Sequence, residues 1–251
     1  MRKQVPFILL IVVAFTIQSC YDNKKDINSN TKNVEVTDSL PHQEITEENE
    51  SNPEEPNVTY PKTGNKVSDF LPESDIYDVQ YQAEGDLNND GLTDIAVVLK
   101  HKESNILKRP MLVLLQNEDK SYRLDKVSTR TIPVEYNEFD FKLYDTEDIS
   151  IKKGELQINL YSMGPSGTHL SKFKYIQNDL VVNNIEAHYM GAGGRSGFFY
   201  DFEKGELTTT ETNTMKEDEP TTSETKKVKI KPHLFEETSV TEFFDENDKQ
   251  F

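Results

Sequence analysis

The side chains best placed to do chemistry in this chain are those of Asp86, Asn88, Asp90 and Asp94, at positions 1, 3, 5 and 9 of the run Asp86-Leu87-Asn88-Asn89-Asp90-Gly91-Leu92-Thr93-Asp94. Alternate residues of a tight loop can turn toward one centre, and a hard divalent cation takes oxygen ligands of this kind. Gly91 at position 6 permits the chain reversal, and the Leu92 carbonyl at position 7 supplies a further oxygen. Three carboxylates in so short a loop repel one another unless a cation sits among them. The expectation is therefore a calcium site made by Asp86, Asn88, Asp90, Leu92 and Asp94 that orders the fold rather than reacting. The competing reading is a solvated turn without metal, because Asp, Asn and Gly also crowd ordinary Asx turns. Magnesium suits the loop less well because it prefers to keep its waters.

An EF-hand would place a bidentate Glu at position 12 and helices on both sides; position 12 here is Val97, inside an apolar run, so that geometry is excluded. The loop instead joins a strand ending near Ala83 to one starting at Ile95. This Asp-x-Asn-x-Asp-Gly-x-x-Asp pattern between strands, over Gly85 to Leu99, resembles the calcium loop of FG-GAP or VCBS-type repeats. The Arg109-Pro110-Met111 entry to an apolar strand, followed by Gln116-Asn117 and Tyr122, also resembles bacterial lipoproteins carrying a single loop of this type. Such repeats usually form arrays that close into propellers. No second copy is present, since Asp245 to Asp248 lacks the glycine and the spacing, so a propeller from this chain alone is excluded.

The elements that must position the loop read as mainly β: an antiparallel meander sheet domain with little helix. Ile95–Leu99 and Met111–Leu115 are short continuous apolar runs, the pattern of central strands covered on both faces. Later segments alternate, as in Leu156, Ile158 and Leu160, or Val228 and Ile230 among lysines; the latter suits a last strand at a sheet edge. Lys153-Gly154, Asn178-Asp179 and Lys204-Gly205 punctuate these runs as turns, and Thr208 to Thr214 favours an extended strand without demanding burial. Val67–Leu71 is expected to form one helical turn, with Ser68 or Asp69 near its cap, before Pro72.

The flanks say where the chain belongs. Arg2 and Lys3, the apolar run from Phe7 to Ile17, and then Gln18-Ser19-Cys20 read as a signal peptide over 1–19, too short for a permanent membrane span. Ile17 and Ser19 before Cys20 resemble a bacterial lipobox, which implies a lipidated Cys20 and a membrane contact through its acyl chains. Tyr21, where Asp would resemble an inner-membrane retention signal, points to the outer membrane of the cell envelope. Residues 20–66 are rich in Asn, Thr, Glu, Ser and Pro and are expected to form a disordered acidic tether, the folded body to run over 67–235, and the acidic tail 236–251 to fray, with docking of its Phe243-Phe244 pair on the body as the alternative.

With 28 Lys and Arg against 45 Asp and Glu, the net charge of −17 repels phosphate backbones, and nucleic acid is excluded as a partner. One cysteine permits no intramolecular disulfide. Gly191-Ala192-Gly193-Gly194-Arg195-Ser196-Gly197 lacks the helix a phosphate loop needs and reads as a mobile or tightly turned β connection, and Gly164-Pro165-Ser166-Gly167 as a turn rather than a nucleophile elbow. None of the five histidines has metal-ligand spacing; His169, beside the 164–167 turn, is expected to be core-satisfied or exposed. These features together favour a non-catalytic binding or scaffold module of the envelope with an unknown protein or glycan ligand. The alternative is a hydrolase whose residues converge near 164–169 and 191–197.

Overall fold

The computed structural model describes residues 58–72 and 75–247; the signal peptide, Cys20 and the tether up to residue 57 lie outside the described residues. The chain is mainly β and forms two antiparallel sheets, neither closed into a barrel or propeller. Strands β1 (Thr63–Gly64), β2 (Tyr77–Gly85), β3 (Asp94–His101), β4 (Met111–Gln116) and β5 (Tyr122–Ser128) make one sheet in the order β1-β5-β4-β3-β2. Strands β6 (Thr146–Lys152), β7 (Glu155–Tyr161), β8 (Thr168–Ile176), β9 (Asp179–Gly191), β10 (Gly194–Asp201), β11 (Glu206–Asn213) and β12 (Thr221–Lys227) make a strictly sequential meander. Among the described residues no helix is long and apolar enough to cross a membrane.

The two continuous apolar runs are the middle strands of the smaller sheet, and both their faces are buried. Ala96, Val98, Met111, Val113 and Leu115 pack with Ile149, Leu156, Ile158, Phe173 and Ile185 of the larger sheet. Ile95, Val97, Leu99, Leu112 and Leu114 pack on the other side with Tyr60, Phe70 and Tyr77. That second layer corrects the expected boundary at residue 66. Tyr60 is buried, and Thr63 and Gly64 pair with Arg123 and Tyr122, so the folded body takes in the last residues assigned to the tether. A 3-10 turn over Val67–Phe70 follows, with the Asp69 carboxylate accepting the N–H groups of Asn65 and Lys66. Phe70 joins Tyr60 and Tyr77 against this face of the smaller sheet, where burial of its ring removes apolar surface from water.

The larger sheet alternates as expected, with Leu156, Ile158 and Leu160 fully buried between half-exposed neighbours. Its last strand is Thr221–Lys227, exposed along its whole length, rather than the Val228–Ile230 run the alternation suggested. Val228 instead donates its N–H to the Gly205 carbonyl at 2.9 Å, and Ile230 packs beside Gly205.

The tail does not fray over its described part. Phe235, Val240 and Phe243 are fully buried, and a short helix α1 (Phe243–Glu246) ends the described chain. The tail bonds to β9 of the larger sheet and to the segment that follows β5: Phe235 N–H to the Leu180 carbonyl at 2.8 Å, the Thr131 hydroxyl to the Phe235 carbonyl at 2.6 Å, and Val240 N–H to the Thr131 carbonyl at 3.3 Å. Its charged residues hid this from the sequence, since Glu236, Glu237 and Glu242 alternate with three large apolar groups too sparse to register as a pattern. Arg130 pairs with Glu246 at the rim.

A buried ion pair joins the sheets. Arg109 and Glu147 are each 1 % exposed in their side chains and meet through Nη1–Oε2 at 2.6 Å and Nη2–Oε1 at 3.0 Å. The remaining Arg109 donors reach the Pro133 carbonyl at 2.8 Å and Gln80 Oε1 at 3.1 Å. Gln80 is the extra residue of a bulge between Val79 and Tyr81, which re-aims it inward. Burial and the neighbouring Glu147 carboxylate push the Tyr81 hydroxyl up to about 12.

Candidate functional site

The 86–94 loop joins β2 to β3 and is braced from both sheets. Gly85 sits so close to Ile151 of β6 that a Cβ there would lie 2.8 Å from the Ile151 carbonyl oxygen. Asn89, with a φ of 60°, rests on Gly154 of the β6–β7 turn, where a Cβ would come within 2.5 Å of the Asn89 amide. Gly91 has a φ of 86° and open space around it, so it serves the chain reversal.

The oxygen-bearing side chains divide into two groups. Asp86, Asn88 and Asp90 gather at the exposed rim: Asp86 Oδ1 and Asn88 Oδ1 both accept the Asp90 N–H at 3.0 Å, and Asn88 Nδ2 donates to Asp90 Oδ2 at 2.8 Å. Asp86 Oδ2 accepts Gly91 N–H at 3.0 Å, and Asp90 Oδ1 accepts Leu92 N–H at 2.8 Å. Leu92 thus enters the loop's bonding through its N–H. Asp94 is fully buried beneath this rim and accepts three backbone N–H groups, from Leu87 at 2.9 Å, Asn88 at 3.3 Å and Gln116 at 3.0 Å. Burial raises the Asp94 carboxyl above its ordinary range, the three N–H bonds oppose that shift, and the Asp90 charge adds to it.

Asp94 is thus the keystone that ties the loop to β4, a role its spacing did not announce. Among the described residues no three His, Cys, Asp or Glu side chains gather as a ready metal cluster. The donors fit calcium in kind: they are oxygens, and each oxygen of Asp86 and Asp90 accepts one hydrogen bond, leaving it a second lone pair. In position they form a loop closed on itself by Asx-type bonds.

The 164–167 turn and the 191–197 hairpin flank a second feature. His169 is 2 % exposed, its Nε2 lies 3.0 Å from the Ser166 carbonyl oxygen, and the rings of Tyr144 and Tyr189 stand edge-on to it at 6.0 and 5.6 Å. It is a core histidine held by the turn. Burial holds its imidazole below the ordinary value of 6.5, against the opposing backbone hydrogen bonds at Ser166 and Val240 and the Asp245 charge, and with help from His188. His233, between Tyr200 and Phe243, is lowered in the same way by burial, with Lys231 adding to the shift. Both groups bind protons more weakly folded than unfolded. The stability they contribute is complete above about pH 6.5 and is lost as pH falls from there through the depressed folded values. Urea titrations between pH 7.5 and 5 should show this loss, and His169→Gln or His233→Gln should each flatten part of it if the variant remains folded at pH 7.5.

The Gly191–Gly197 segment is a tight hairpin, with Gly191 paired to Gly194 and Gly193 at a φ of 99°. Beside it, β9 to β12 run beyond the core and form a groove of about 730 Å³, lined among others by Tyr189, Ser196, Glu211, Asn213, Lys216 and Thr222. Tyr189 and Glu211 are not legible in the sequence as neighbours, because only the register of β9, β10 and β11 places them in one row, and Lys216 reaches the groove from the β11–β12 loop. Comparison with known protein families, characterised proteins and solved structures found no match for this chain.

Proposed function

We propose that this chain is a non-catalytic binding module of the bacterial cell envelope, held at the membrane by acyl chains on Cys20 and stiffened by one calcium ion in the 86–94 loop. The carrying observation is the loop itself: Asp86, Asn88 and Asp90 converge at an exposed rim that both sheets brace, directly above the buried Asp94 carboxylate. Asp86, Asn88 and Asp90 would supply side-chain oxygens, Asp94 a carboxylate from below, and Leu92 its carbonyl. Non-catalytic binding is supported by the groove, whose lining carboxylate, Glu211, is exposed, whereas the buried His169 lies behind the Tyr189 ring.

The ion is tested by thermal melts of the full chain in calcium, magnesium or chelator. At a dissociation constant of order 10⁻⁴ M and millimolar calcium, mass action adds about 1.4 kcal/mol, or roughly 3–6 °C for a body of this size. Asp90→Ala should abolish the calcium difference while leaving the chelator melt nearly unchanged. Asp94→Ala should lower both melts, since three backbone N–H groups lose their acceptor at about 1–3 kcal/mol. Identical melts with and without millimolar calcium would leave a self-closed Asx loop and remove the ion from the reading.

A further inference from the structure

We infer that the groove on the projecting half of the larger sheet is a saccharide-binding site that takes a neutral oligosaccharide; this rests on the binding-module reading above. Its floor is one row across four strands, because Ser196 pairs with both Tyr189 and Glu211, and Glu211 with Thr222. The row therefore presents a phenol ring, two hydroxyls and a carboxylate on one face, the face that further down the strands carries Tyr200 and Leu207 into the core. Toward the tip the next row is Gly191, Gly194 and Asn213, and the space beside Gly191 is open. Bare backbone at that end leaves room for a ligand lying along the row. The 214–220 loop makes a wall: Thr214 N–H bonds to the Gly193 carbonyl at 3.1 Å, and Met215 lies against Gly193.

Three features select the ligand class. Tyr189 is half-buried and pinned from behind by His169 at 5.6 Å and Phe198 at 6.3 Å, so it is a fixed aromatic platform of the kind that packs on the C–H face of a sugar ring. The groups around it, Ser196, Thr222, Asn213 and Glu211, offer both donors and acceptors, as a polyhydroxylated ligand requires. Charge at the groove is balanced, with Lys216 and Glu211 in the lining and Arg195 engaged by Glu219 at 3.5 Å, which disfavours both a phosphate and a strongly charged chain. The volume falls within the ordinary range for sites that enclose a small ligand.

The test is calorimetric and NMR titration of the full chain with defined neutral oligosaccharides, tri- to hexamers of glucose, mannose and N-acetylglucosamine, beside a pool of uncharged hexapeptides. The expected result is saturable binding of at least one sugar series, weakened at least about tenfold by Glu211→Gln and by Tyr189→Ala and retained in Tyr189→Phe. Because Tyr189→Ala also removes packing behind the groove, Glu211→Gln, at an exposed position, is the control for folding. Failure of every sugar to bind at millimolar concentration, binding indifferent to both variants, or equal binding of the peptides overturns the assignment. Cleavage of a bound oligosaccharide, read as new reducing ends lost in Glu211→Gln, keeps the groove and overturns only its non-catalytic reading. The calcium melts are independent of all these outcomes.

Discussion

Replacing Arg109 with Met should lower the stability of the protein by about 3–5 kcal/mol, because the Glu147 carboxylate is then left buried without its counter-ion. Glu147→Leu alone should cost a similar amount by stranding the guanidinium, whose other donors hold only Pro133 and Gln80. The double variant Arg109→Met/Glu147→Leu removes both charges from the intersheet space. It should recover at least half of either loss, since a buried pair contributes little net stability once its desolvation is counted. Urea midpoints for the four proteins close the cycle. Additive losses would show that the two side chains act independently and that the pair does not join the sheets.

The second large effect concerns the tail. Phe243 is fully buried, and its ring centroid stands 4.9 Å from that of His233 and 5.4 Å from that of Tyr200, with Phe244 edge-on at 5.3 Å. Phe243→Ala removes this contact area and leaves a cavity, for an expected loss of about 3–5 kcal/mol. Phe244→Ala, at a half-buried position packed on Phe198, should cost distinctly less. A frayed tail would instead make both substitutions neutral in denaturant unfolding. At pH 5.5 the deficit of Phe243→Ala against the unsubstituted protein should narrow, because water admitted to the cavity relieves the burial that holds the His233 imidazole below its ordinary value and so removes part of the loss on acidification.

The legibility of the chain follows from the range over which each feature is determined. The runs Ile95–Leu99 and Met111–Leu115, read as doubly covered strands, are the two buried middle strands β3 and β4, because an apolar residue at every position has no other low-energy place. The meander from residue 146 onward was legible from alternation and turn residues, since hairpins pair neighbours in sequence. The burial of the tail is not legible locally because its three anchors are separated by polar residues and pack on distant strands, Phe235 on Phe173 of β8 and Phe243 on Tyr200 of β10. Asp94 was singled out by spacing as a metal donor, while its bonds to Leu87, Asn88 and Gln116 depend on where β4 ends.

Sequence alone determined that this chain is β-rich, acidic, unable to form an internal disulfide, and interrupted between two strands by one oxygen-lined loop. These are local properties of composition, spacing and period. Tertiary structure alone decided which carboxylate lies buried under that loop, that Arg109 finds Glu147 across the sheets, and that Tyr189, Ser196, Glu211 and Thr222 stand in one row. The physical reason is that strand register and sheet packing are settled by hydrophobic burial over the whole body. A shift of one residue in any strand would turn every one of its side chains to the opposite face.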